Sequence, residues 1–298
     1  AFCVHTLVHF SALWYAICYY FEGGASMTNF DRVKMYYQNF DENGRLCKDN
    51  SGRLEYEMTM KKLEKHLPAT GKILDLGGAT GVYAFPLAEK GYQVYLADLS
   101  ERLIDIAREK KAQSGTDNLI ACDVVNAIDL SIYDNEMFDV VLLFGPLYHL
   151  LDNTERTKCI EEVHRVLKKH GMVFASFIPY LSGSIAIVDR YFYAPDQVSI
   201  DNLREVFSSG KFNNNALYGF QEGYYPTSDE IVGLFDDHGF SKVNLSSMRS
   251  FAYEKEDRMY SIQDTDMFNE MLHLLDETSE RKEIIETCGH AMYIGKKR

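Results

Sequence analysis

Asp75-Leu-Gly-Gly-Ala-Thr-Gly81, entered from Ile73-Leu74, is the stretch that decides the fold of this 298-residue chain. Ile73 to Leu76 reads as a buried strand, and Val82 to Lys90 carries Ala84, Leu87 and Ala88 at helical spacing on one face. A strand, a glycine turn and a helix therefore follow one another. Gly77 and Gly81 let the backbone come close to a ligand, and the helix start beyond them offers N–H groups without intrahelical partners. The loop is built to hold a polar ligand.

Spacing narrows the ligand. A dinucleotide fingerprint, G-x-G-x-x-G/A, counted from Gly77 puts branched Val82 where glycine or alanine is needed for close packing on a pyrophosphate. The run instead resembles motif I of the class I S-adenosylmethionine (SAM) dependent methyltransferases, D/E-x-G-x-G-x-G, with Ala79 in place of the middle glycine. The resemblance covers Lys61 to Ile178 strongly and continues faintly beyond it. It implies an α/β, Rossmann-like sheet of seven mostly parallel strands, six parallel and one antiparallel near the edge, with helices on both faces and a helical, aromatic cap insertion.

The following strands fit that pattern. Gln93-Val-Tyr-Leu-Ala-Asp98 ends in an acid about twenty residues after the glycine turn, where an α/β fold places a ribose. Leu119-Ile-Ala-Cys-Asp123 ends in another acid, and Phe138-Asp-Val-Val-Leu-Leu-Phe-Gly145 runs into Pro146-Leu-Tyr-His149 at the motif IV position. Phe-Gly-Pro-Leu-Tyr-His is familiar from a bacterial branch of the family. Gly171 to Phe177 follows the helix Arg156 to Lys168. The resemblance implies a cofactor site of Asp75, Gly77, Gly78, Gly81, Asp98, Leu99, Asp123, Val124, Phe144 and Gly145. Asp98 would accept from the ribose hydroxyls, Asp123 from the adenine amino group, and Val124 would touch the ring. His149 is the candidate base and Tyr148 the candidate orienting group, because both follow the fourth strand where the methyl should sit.

Before the core, 27–60 reads as polar and partly helical; the resemblance implies that this helical segment folds over the cofactor, which makes Tyr36, Tyr37 and Arg53 candidates for the methionyl carboxylate or the substrate. The core spans 61–179. Residues 180–225, with Tyr191-Phe-Tyr193, Phe207, Phe212, Tyr218, Phe220 and Tyr224-Tyr225, read as a substrate cap, and 226–298 completes the sheet. Thr227-Ser-Asp-Glu opens a helix to His238, Gly239 ends it, and Lys242 to Leu245 and Ala291 to Gly295 are the last strands.

Residues 1–26 stand apart. Ala1 to Phe21 has no Asp, Glu, Lys or Arg and is long enough for a bilayer of roughly 30 Å. The first Lys or Arg is Arg32, so neither a signal peptide nor an oriented anchor is marked. Glu22-Gly-Gly24 can be encoded by a purine-rich ribosome-binding sequence a short way before Met27. We therefore expect Met27 to be the start and 1–26 to be upstream translation or an artefact, with no membrane attachment in that case.

Composition bounds the function. A content of 46% hydrophobic residues suits one large α/β core, and a net charge of −13 does not suit a protein that neutralises many phosphates, which argues against DNA. The six cysteines lack zinc spacing, so we expect free thiols, a cytoplasmic setting and no metal. The reading is a SAM-dependent methyltransferase that acts on an oxygen, nitrogen or carbon of a small-molecule acceptor and yields S-adenosylhomocysteine. A protein or RNA methyltransferase and a non-catalytic SAM-binding sensor or partner subunit are the alternatives; the oligomeric state is left open.

Overall fold

The computed structural model describes residues 28–39, 44, 46, 48–214, 216, 220 and 222–298. The 1–26 leader, the Met27 start, Cys3, Cys18, Cys47 and Tyr218 lie outside the described residues. Cys122, Cys159 and Cys288 carry free thiols. No helix among the described residues is long and apolar enough to cross a membrane.

Seven strands form the central sheet: β1 Lys72–Leu76, β2 Gln93–Asp98, β3 Leu119–Val124, β4 Phe138–Leu143, β5 Leu167–Phe177, and, after the short β6 Lys211–Asn213 and β7 Glu222–Tyr224, β8 Phe240–Ser247 and β9 Ala291–Lys297. Their order is β3-β2-β1-β4-β5-β9-β8. β9 runs antiparallel to both β5 and β8, and the others run parallel, as expected. β6 and β7 pair as a separate hairpin.

Period-two alternation explains why the strands read as continuous apolar runs: successive side chains feed opposite faces, and both are covered. Leu74, Val141, Leu143, Val173 and Ala175 join one core cluster under the helices Asn153–Val166 and Ser228–Asp237. Ile73, Leu96, Val140, Leu142 and Phe174 join the other, under Asn50–His66, Ala84–Glu89 and Glu101–Ser114. Asp75 falls on the second face. Helix starts use local caps. Ser100 accepts from the Leu103 amide, and Thr227 and Glu230 form a reciprocal capping box.

The cap consists of the helices Tyr180–Tyr193 and Ile200–Ser209 with the β6–β7 hairpin. Its aromatic residues do not line the cleft in the way their composition suggests. Phe212 and Tyr225 fill the cap's own small core with Ile187 and Val206, Tyr191, Phe192 and Tyr193 are exposed, and the Tyr224 ring lies 3.6 Å below the Arg156 guanidinium. Phe220 alone of this group is in ring contact with a cleft residue among the described residues, 5.2 Å from His149.

Candidate active site

The carboxyl ends of β1, β2, β3 and β4 open into one cleft enclosing about 1250 Å³ outside the protein atoms, its open mouth included. Gly77, Gly78 and Ala79 form its floor, Asp98 to Ser100 and Val125 to Ala127 one side, and Phe144, Gly145, Tyr148 and His149 another. The helix Asn29–Asn39 roofs it with Phe30, Val33, Lys34 and Tyr37. Glu55, Thr59, Met248, His290 and Met292 close the far wall.

The β1 loop is fixed by its neighbours. Asp98 Oδ2 accepts from the Ala79 amide at 3.0 Å and Oδ1 from the Ser100 amide at 2.8 Å, which orients the carboxylate at the cleft edge. Ala79 sits at φ 51°, in the left-handed region that costs an L-residue about 1–2 kcal/mol; this is the physical reason a glycine is expected there. At Gly77, φ is +80° and an added Cβ would stand 2.6 Å from Pro146 Cδ and 2.9 Å from the Phe144 carbonyl oxygen. This glycine lets the β1 and β4 loops touch, a role distinct from ligand approach.

Gly77, Gly78, Asp98, Leu99, Phe144 and Gly145 thus line the cleft, while Asp75, Gly81, Asp123 and Val124 stand outside its wall. Asp75 is fully buried against Gly78, and neither oxygen meets a donor in good geometry among the described residues. Burial, and then the Asp98 charge, push its carboxyl up to about 7 against the pull of the Ala84 backbone. It packs beneath the loop. Asp123 is turned to Tyr133, whose hydroxyl donates to it at 3.0 Å, and Val124 faces outward; the β3 end presents Val125, Asn126 and Ala127 instead. Val125 is placed by its amide N–H, which donates to the Asp98 carbonyl oxygen at 2.9 Å.

Tyr148 and His149 both reach the cleft, but His149 is poorly suited as a base. Its Nε2 lies 3.0 Å from the Tyr37 hydroxyl, and burial pushes the imidazole down to about 4, the Glu222 backbone pulling the other way. Tyr37 therefore joins the site, whereas Tyr36 packs its ring on Tyr37 and Phe220. Arg53 points elsewhere, with Nε 2.8 Å from Glu57 and its guanidinium over Tyr260. Lys34 is the Lys or Arg side chain of the wall.

The sequence reading missed Glu55, Thr59, Met248, His290 and Met292. Glu55 Oε2 and His290 Nδ1 are 2.9 Å apart across 235 residues. One signal was available: the start of an antiparallel β9 stands at the carboxyl end of its parallel neighbour, Ala291 opposite Phe177, so the residue before it faces the ligand side.

A methyltransferase-domain family model matches residues 73–171. YqeM of Bacillus subtilis is 31% identical over 118 residues, which are 40% of this chain and 47% of that protein. The ubiquinone/menaquinone biosynthesis C-methyltransferase UbiE of Haemophilus ducreyi is 29% identical over 190 residues, 59% of this chain and 67% of that one. The chain thus spans about half the length of the first relative and two thirds of the second. The Burkholderia thailandensis 1,6-didemethyltoxoflavin-N1-methyltransferase, solved with 1,6-didemethyltoxoflavin and S-adenosylhomocysteine, shares the fold with a TM-score of 0.56 at 15% identity over 90% of this chain and 86% of that one. The glycine loop and Asp98 thus lie inside the stretch that the methyltransferase-domain model matches, and the seven-stranded fold is the one found in the Burkholderia methyltransferase.

Proposed function

We propose that this chain transfers the methyl group of SAM to a small-molecule acceptor inside the roofed cleft. The observation that carries the reading is the juxtaposition, in one cleft, of a glycine-floored cofactor end at Gly77–Ala79 and Asp98 with a second end walled by Tyr148, Glu55 and His290.

The residues present fit SAM. Asp98 suits the ribose hydroxyls, Lys34 suits the methionyl carboxylate, and Val125 to Ala127 supply the wall for adenine. When bound, SAM supplies a methyl group already activated on a sulfonium sulfur. The chain's part is to hold the acceptor in line at near-attack distance, to exclude water with the Asn29–Asn39 roof, and to dispose of a proton where the acceptor has one. An open cleft next to Tyr148 favours catalysis over a sensor, whose acceptor side would be plugged. A roofed cleft in a chain of net charge −13 favours a small acceptor over RNA. The relatives are named for ubiquinone/menaquinone biosynthesis and for 1,6-didemethyltoxoflavin, both small-molecule chemistry.

The test is the full chain with methyl-labelled SAM and a bacterial extract, with Asp98→Ala as control. Label among small molecules is the expected result. Label on protein or RNA would move the activity to the macromolecular class, and SAM binding without any label would favour the sensor.

A further inference from the structure

We propose that His290 is the general base for the acceptor and that Glu55 positions it, so that the acceptor is a hydroxyl or another nucleophile still carrying its proton. This deepens the methyltransferase reading above and rests on it. A carboxylate, a thioether or a tertiary amine would need no such base.

Among the described residues two imidazoles line the cleft, and one of them is already engaged. His149 is buried and tied to Tyr37, as described. The His290 side chain is 21% exposed, and its Nδ1 faces the Glu55 carboxylate, itself 11% exposed, at 2.9 Å. A carboxylate partner requires the proton on Nδ1, which leaves the lone pair on Nε2. Nε2 is accessible and makes no hydrogen bond among the described residues.

The pair is held on rigid supports. Glu55 belongs to the helix Asn50–His66, with Arg249 Nε 3.9 Å from its Oε2 and Arg249 Nη1 bonded to Glu256 at 3.1 Å. Gly289, at φ +73°, has no room for a Cβ, which would lie 2.6 Å from the Arg249 guanidinium. The backbone before His290 is thus pressed against Arg249. On the other side the Tyr148 ring is 5.9 Å away, tilted by 32°. The ionisable groups packed around His290 are therefore Glu55 on the helix, Arg249 and Glu256 behind it, and Tyr148 on the β4 loop. Met248 and Met292 supply the apolar wall beside it.

In the proposed step His290 Nε2 accepts the acceptor's proton as the acceptor atom forms its bond to the methyl carbon, and the electron pair of the broken carbon–sulfur bond stays on sulfur. The positive charge that leaves sulfur is recovered on the imidazolium, against the Glu55 carboxylate. Loss of the proton to water after product release restores the base.

Nitrogen-15 NMR of the full chain, with and without S-adenosylhomocysteine, should find the neutral His290 ring in its Nδ1–H tautomer. A majority Nε2–H form would overturn the assignment, independently of any acceptor. Using the acceptor found by labelling, His290→Gln should slow transfer by roughly 100-fold at neutral pH, within the usual range for a general base. The rate should recover as rising pH ionises the acceptor, and S-adenosylhomocysteine affinity should be unchanged. Glu55→Asp should restore part of the rate lost in Glu55→Gln. Wild-type turnover in His290→Gln would sink the base. A wild-type chain that binds SAM but labels nothing would instead sink the methyltransferase reading.

Discussion

The Tyr37 hydroxyl and the His149 Nε2 meet at 3.0 Å across 112 residues, joining the roof of the cleft to the short helix Pro146–His149 that follows β4. Asn29 Nδ2 donates to the His149 carbonyl at 2.9 Å, and Arg102 donates to the Tyr37 carbonyl from Nε and Nη2 at 3.1 and 2.6 Å. The roof is latched at both ends. Tyr37→Phe leaves a buried ring nitrogen without its partner and should cost about 1–3 kcal/mol. Hydrogen exchange should show faster opening of the Asn29–Asn39 amides; an unchanged rate there would contradict the latch.

Asp98→Ala removes the carboxylate that both anchors the Ala79 amide and faces the cleft. Hydrogen bonds to a charged group are each worth about 1.5–3 kcal/mol, so SAM should bind roughly 10- to 100-fold more weakly. Calorimetric titration reads this directly, and wild-type affinity would remove Asp98 from the ribose site.

Asp75 and His149 bend the pH dependence of stability in opposite directions. Between its ordinary 3.8 and about 7, Asp75 keeps its proton when folded and releases it when unfolded, so stability falls as pH rises. Between about 4 and 6.5, His149 binds a proton when unfolded but not when folded, so stability rises with pH. Each pH unit of difference is worth roughly 1.4 kcal/mol, so the two contributions are comparable and oppose each other in their shared window. Denaturation midpoints of Asp75→Asn should climb more steeply with pH there than those of wild type, and those of His149→Gln should decline. Parallel profiles for all three proteins would exclude both assignments.

Arg32 Nη1 and Glu222 Oε1 form a 2.8 Å ion pair between the roof helix and the cap hairpin, with the Glu222 side chain 5% exposed. Burial raises the Glu222 carboxyl while Arg32 pulls it down. Arg32→Met strands a buried carboxylate and should destabilise by about 2–4 kcal/mol, whereas Arg32→Met with Glu222→Leu should recover most of that loss. Chemical denaturation of the four proteins in the cycle measures it; additive effects would argue against direct coupling.

What the sequence revealed was what lies close together along the chain. The strand at Ile73–Leu76, its glycine turn and Asp98 at the end of β2 are local patterns, and β2 and the Thr227 cap came out at the residues expected. The Asp75 reading was incomplete, because motif spacing does not say on which sheet face an acid lies. The cap aromatics were misplaced because ring content carries no direction: Tyr191 to Tyr193 face outward and Phe212 inward to its own core. The pairing of Glu55 with His290 was invisible because no local pattern links positions 235 residues apart, even though the place of His290 before β9 was open to inference.

The place of β9 between β5 and β8 also orders assembly. β8 touches the rest of the sheet through β9 alone, although it precedes β9 along the chain. A newly made β8 therefore has no partner strand until β9, beyond the excursion from Met248 to His290, has been made. Both Met248 and His290 belong to the cleft wall, so this wall of the cleft and the outer edge of the sheet depend on one and the same excursion of the chain.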